Sequence, residues 1–197
     1  AGTPVVVDNR GVGASGTVSF VNLTTGVETA QVPTGLHPSA LALSQDGSTL
    51  YVANANADTV TVIDTQAKAV KETIPVRPDP TFPYGSAANG LALSPDRKHL
   101  FVASGGNNAV AVVELPNAQH TNSLLQGFVP TDSYPGAVAA DSNCVYVANV
   151  KGLGSRADQP ATTSWQIGAY LGTANRIPIP DQDTLSKLTA QAYEDGR

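Results

Sequence analysis

Apolar and polar residues alternate through Ala40-Leu-Ala-Leu-Ser44 and Leu50-Tyr-Val-Ala-Asn54, with the polar stretch Gln45-Asp-Gly-Ser48 between them. A period of two puts successive side chains on opposite faces of an extended chain, so this reads as two short strands and a turn. A second polar cluster leads into Thr59-Val-Thr-Val-Ile-Asp64, a third strand, and Val70 to Val76 supplies a fourth. The same order returns in Leu91 to Ser94, Leu100 to Ser104, Ala109 to Leu115 and Leu124 to Pro130. Incomplete copies flank these two. Before them lie Val5 to Asn9, Thr17 to Leu23 and Glu28 to Pro33, the last three strands of a unit; after them come Ala137 to Ala140 and Val145 to Asn149, the first two.

The later copy departs from the pattern. Residues 150–171 are inserted where the second unit crosses in four residues, before Gly172-Thr-Ala-Asn-Arg-Ile-Pro-Ile179 resumes the strand. The segment 181–197 then changes period. Asp181 or Asp183 can cap a helix, and Leu185, Leu188 and Ala192 fall on one helical face, at the sequence position of a missing fourth strand.

Val6, Tyr51, Phe101 and Tyr146 occupy one repeat position, 45, 50 and 45 residues apart. Four strands per repeat at this period are the mark of a β-propeller, whose blades stack around an axis because one blade cannot cover both of its own faces. The expected fold is all-β, a partial β-propeller of about three and a half four-stranded blades, with a short C-terminal helix. The blades are expected at 1–35 (partial), 36–76, 77–132 and 133–180 (partial, with the insertion 150–171), followed by a helix or linker over 181–197. Leu41, Leu43, Val52 and Val102 are expected to supply the core between blades.

Composition agrees with this and narrows the function. The 197 residues are 41% hydrophobic and 14% charged, with 18 Gly and 14 Pro, as a turn-rich globular β protein requires. The net charge of −5 and the lack of a Lys/Arg cluster disfavour nucleic-acid binding, which draws its affinity from cation–phosphate contacts. No apolar run is long enough to span a membrane as a helix. Cys144 is the one cysteine, which rules out a disulfide within the chain and suits a small buried hydrophobe. Met is absent and the chain starts at Ala1 on Val5-Val-Val7, which reads as an internal fragment.

Leu50-Tyr-Val-Ala-Asn54, Val60-Thr-Val-Ile-Asp64 and His37-Pro-Ser-Ala-Leu-Ala-Leu-Ser-Gln-Asp-Gly47 resemble the YVTN-type propeller repeat of exported bacterial and archaeal surface-layer and periplasmic proteins. Gly127-Phe-Val-Pro-Thr131, Tyr134-Pro135, Val147 to Ser155 and Gly168 to Pro180 look like two-part exported proteins. In those, a seven-bladed propeller precedes a phosphoesterase domain of the alkaline phosphatase superfamily. The resemblance implies the second half of such a propeller, at the periplasm or cell surface. Its partners would be the remaining blades, or a second chain completing the ring, and a phosphoesterase domain. None of the phosphoesterase metal-ligand or nucleophile motifs falls in this stretch.

No catalytic, cofactor or metal residues stand out. His37, His99 and His120 are isolated, and Gly152-Leu-Gly154 lacks the remainder of a phosphate-binding loop. Asp46, Asp96 and Asp141 recur between the first two strands, while Asn54, Asn107 and Asn149 follow the second; such repetition points to side chains that bond the local backbone in turns. A ligand site should break the repeat. The proline-rich loop Arg77 to Gly85 and the insertion 150–171 do so, which makes Phe82, Tyr84, Lys151, Arg156, Trp165 and Tyr170 the candidate ligand or docking residues. The function expected is a noncatalytic recognition or scaffolding segment. The alternative is half of a ring closed by another chain, with small-molecule binding or a redox or lactonase activity.

Overall fold

The computed structural model describes residues 7, 9, 15–79, 85–153 and 171–195. Within them, four antiparallel sheets follow one another along the chain as a partial β-propeller. The first pairs β1 (Gly16–Val21) with β2 (Glu28–Thr34). The second runs β3 (Pro38–Leu43), β4 (Thr49–Asn54), β5 (Thr59–Asp64), β6 (Ala69–Pro75). The third repeats it as β7 (Ala88–Leu93), β8 (His99–Ser104), β9 (Ala109–Glu114), β10 (Leu124–Pro130), and the fourth holds β11 (Pro135–Ala140), β12 (Cys144–Asn149) and β13 (Thr173–Pro178). Helix α1 (Gln182–Asp195) ends the described chain.

The repeat is exact in register. Leu41 faces Val52, Leu91 faces Val102 and Val138 faces Val147, and each first strand carries a register shift near its start. The connections repeat as well. His37, Ala87 and Tyr134, just before β3, β7 and β11, adopt left-handed backbone at φ 55, 48 and 60°. Each carbonyl then accepts a 2.9 Å hydrogen bond from the turn after the next strand but one, from Ala55, Gly105 and Val150 respectively. In the turns between the first two strands, Asp46 and Asp96 Oδ1 accept the amides of Ser48 and Lys98, and Asp141 Oδ1 accepts those of Asn143 and Cys144. These aspartates therefore fold turns, by the side-chain-to-backbone bond that suits short carboxylates. The asparagines differ from the expected local bonding. Asn54 and Asn149 are buried and donate across to the next strand, to Thr59 and Thr61 and to Thr173 and Asn175. Asn107 lies instead in a short 3-10 turn, and the structural counterpart of Asn54 is Ser104.

The sheets stack through three apolar seams. Val32, Val52 and Ile63 join the first sheet to the second. Tyr51, Val62 and Ile74 meet Leu100, Val102 and Val113 between the second and third, and Phe101, Val110 and Val129 meet Val145 and Val147 between the third and fourth. Val52 and Val102 are fully buried, but Leu41 and Leu43 are 60% and 55% exposed. These two leucines were expected in the interblade core. They stand on the innermost strand, facing the side where the described first sheet has only its third and fourth strands.

The helix lies across β10. Asp181 Oδ1 accepts the Thr184 amide and caps its start. Leu185 and Leu188 enter the seam between the third and fourth sheets, whereas Ala192 and Tyr193 pack into the seam between the second and third. In between, the Thr189 hydroxyl accepts the Phe128 N–H at 2.8 Å and donates to the Leu185 carbonyl at 2.7 Å. Gly127 permits this approach, since a Cβ there would sit 2.3 Å from Thr189 Oγ1 and 3.1 Å from Leu185 Cγ. The helix therefore covers the outer edge of the third sheet and pairs with no strand of the fourth.

Candidate functional site

The two seams bordering the third sheet are built from equivalent positions and differ at one end. Between the third and fourth sheets, Phe101 is fully buried, and Val110, Val129, Val145, Ile177 and Pro180 leave only a gap of about 10 Å³. Between the second and third, the matching residue is Tyr51, and a cleft of about 680 Å³ opens beside it. Its lining joins the apolar Val62, Leu93 and Leu115 and the Tyr51 ring to Asp46, Lys71 and Glu72 from the second sheet and Arg97 from the third.

The loop between β9 and β10 forms one wall. Ser123 donates its amide and its hydroxyl to the two oxygens of Glu72, both at 2.9 Å, which ties this loop to the outer strand of the neighbouring sheet. The loop is also braced from within. Asn117 Oδ1 accepts the amides of Gln119 and His120, and the His120 ring contacts Glu114 at 3.3 Å and the Asn122 carbonyl at 2.6 Å. Such bracing holds a wall in place before anything binds.

Charge is arranged unevenly in the cleft. Burial, followed by the Glu72 and Asp46 carboxylates, pushes the Tyr51 phenol above its ordinary pKa, so the hydroxyl keeps its proton and can donate. The Ser44 hydroxyl, then the amide and hydroxyl of Ser48, hold the Asp46 carboxyl down at about 2, which fixes a negative charge at the mouth. On the third sheet's side of the lining, Arg97 stands in a left-handed turn position at φ 62°, the counterpart of Gly47 at φ 73°.

Of the residues singled out from the sequence, Lys151 lies at the opposite end of the strands from this cleft. Lys151 follows β12, is exposed, and holds its ammonium 4.8 Å from the centre of the Tyr134 ring. Its amide donates to Ser133, and Ser133 donates back to Gly152, so the base of the insertion is pinned to the loop before β11. Gly152 has φ 51°, and a Cβ there would run into the Leu171 carbonyl, so the two described ends of the insertion come together at this glycine. Phe82, Tyr84, Arg156, Trp165 and Tyr170 lie outside the described residues. Sequence reasoning missed the cleft. Its signals were small: a tyrosine where the next repeat has phenylalanine, and the charged pair Lys71-Glu72 in an outer strand.

Among the described residues, no group of three or more His, Cys, Asp or Glu side chains is placed to hold a metal ion. His99 stacks on Phe101 with ring centres 6.2 Å apart, His37 pairs with Asn56, and Cys144 is a buried free thiol. No described helix is long and apolar enough to cross a membrane.

Known proteins match the fold. The profile of the family described as YNCE-like beta-propeller covers residues 1–150. Among solved structures, Kuenenia stuttgartiensis hydrazine synthase is similar at 26% identity and a TM-score of 0.57, over 73% of this chain and 40% of that one. U3-55K is similar at 16% identity and a TM-score of 0.54, over 71% and 41%. A functionally unknown protein from Desulfotomaculum acetoxidans is similar at 19% identity and a TM-score of 0.50, over 68% and 42%. The last two likenesses concern the fold alone, and the chain spans about two-fifths of the length of each of these structures. No curated protein matches it.

Proposed function

The chain belongs to the YNCE-like β-propeller family, and from that premise we propose that it is a noncatalytic recognition and scaffolding segment whose fourth sheet is covered by a further blade. One observation carries this reading. Tyr51 and Phe101 are 7% and 0% exposed because the next sheet lies over each, whereas their counterpart Tyr146 is 39% exposed. Beside it Arg176 is its cross-strand partner, and its hydroxyl donates to Asp141 at 2.8 Å. The position that anchors two seams thus faces solvent in the fourth sheet.

The occupant should resemble the sheets that cover Tyr51 and Phe101, which present Leu91 and Leu93, or Val138 and Ala140, from an inner strand. It can come from the same polypeptide or from a second chain. The segments Val147 to Ser155 and Gly168 to Pro180 support an exported protein at the periplasm or cell surface, with a phosphoesterase domain as neighbour. On this reading hydrolysis belongs to that domain.

Nitration by tetranitromethane tests the proposal. Tyr146 should react readily in the 197-residue chain, and its reaction should slow at least about tenfold when a further blade, fused to the chain or added as a second chain, covers the fourth sheet, as burial requires. Equal reactivity in all forms overturns the covering blade, and metal-dependent turnover of a phosphate ester by the 197-residue chain overturns the noncatalytic assignment.

A further inference from the structure

We infer that the cleft between the second and third sheets binds a small zwitterion, a molecule with one ammonium and one carboxylate on an apolar body about the size of a short peptide. The inference goes beyond the scaffolding role. It also stands apart from what covers Tyr146, because the cleft is built wholly from two complete four-stranded sheets.

Three observations carry it. The cleft is of ligand size, about 680 Å³, and opens beside Tyr51, whereas beside its counterpart Phe101 the packed residues leave a gap of about 10 Å³. Its wall is preformed, since Glu72 holds Ser123 by two hydrogen bonds. Its charges differ by sheet: the second contributes Asp46 and Glu72 against the single cation Lys71, and the third contributes Arg97. The Arg97 guanidinium has no hydrogen-bond or ion-pair partner among the described residues, and neither has the Tyr51 hydroxyl.

Charge selects among ligand classes. A simple anion would meet Asp46 and Glu72, and a simple cation would meet Arg97 and Lys71. A neutral polyol would strip water from these charges and pair none of them, which costs more than its hydroxyls recover. A zwitterion satisfies both ends. Its carboxylate takes the planar fork of Arg97, its ammonium lies toward Asp46 and the Tyr51 hydroxyl, and its apolar body covers Leu93 and Leu115.

Trialanine is the probe, followed by NMR of the Tyr51 ring and by calorimetry, with trialanine amide and N-acetyl-trialanine amide as controls. Trialanine should shift the Tyr51 resonances saturably, and the doubly blocked peptide should bind at least about tenfold more weakly, as the loss of charge-assisted contacts requires. Arg97→Gln leaves the apolar packing intact; it should weaken trialanine about tenfold and leave trialanine amide unchanged, a coupling that marks the carboxylate as the partner of Arg97. The inference is overturned if trialanine gives no saturable shift at Tyr51, if the blocked peptide binds equally well, or if Arg97→Gln weakens trialanine and its amide alike.

Discussion

The two seams of the third sheet begin from the same repeat position and arrive at different states. Around Phe101 the interface is packed, with Leu185 and Leu188 of α1 and Ile177 and Ile179 joining the strand residues in one apolar cluster. Around Tyr51 the helix supplies only Ala192 and Tyr193 at the outer edge, and the strand ends near Asp46 and Arg97 stay apart. A hydroxyl and four charged side chains are tolerated there because water reaches them. The repeat therefore dictates how sheets stack, while the loops and the helix decide whether a seam becomes core or cleft.

The largest expected effect separates these states directly. Phe101→Ala should cost about 3–5 kcal/mol, the range for truncating a large buried aromatic, measured by chemical denaturation. A loss under about 1 kcal/mol would mean that the filled seam is not what holds the third and fourth sheets together. Gly127→Ala comes next. Its new methyl must displace Thr189 and Leu185, at about 1–3 kcal/mol, and hydrogen exchange at the Phe128 amide should quicken as its partner moves away.

Smaller effects sharpen the open side. Glu72→Ala frees the β9–β10 loop and should cost about 1–2 kcal/mol, with faster exchange at the Ser123 amide and no change around Phe101. Tyr51→Phe makes the two seams alike in composition and should shift stability by no more than about 0.5 kcal/mol, since the hydroxyl has no bonded partner to lose. The Asp46 turn adds a pH signature. Its carboxyl titrates at about 2 when folded against an ordinary value of 3.8, so its contribution is present above that ordinary value and is lost as pH falls through about 2. A carboxyl carbon shift with its midpoint near 3.8 in the folded chain would contradict the Ser44 and Ser48 hydrogen bonds.

Much of this was legible in the sequence for a definite reason. Alternation at Leu50 to Asn54 and Leu100 to Ser104 encodes strands locally, and the spacing of Tyr51, Phe101 and Tyr146 encodes which positions are equivalent. The turn role of Asp46, Asp96 and Asp141 followed from repetition, and Asp181 as a helix cap followed from its place before Leu185. What lay beyond reach was relational. Nothing in the residues near Glu72 announces that Ser123 will close on it from 51 positions away. Asn54 looks like a turn residue until Thr59 and Thr61 are folded back beside it. The period also could not say that the helix would cross back over β10, because that docking depends on Gly127 and Thr189 meeting, and neither residue marks a repeat.

That crossing has a consequence for solubility. The outer strand β6 carries Lys71 and Glu72, and β2 carries Glu28, charges that discourage another strand from adding on. β10 reads Leu124-Leu-Gln-Gly-Phe-Val-Pro130, with no charge at all. Left bare, it would be a template for growth of a filament from one molecule to the next, so α1 is also a guard against polymerisation, placed over an outer strand that, unlike the described β2 and β6, carries no charge of its own.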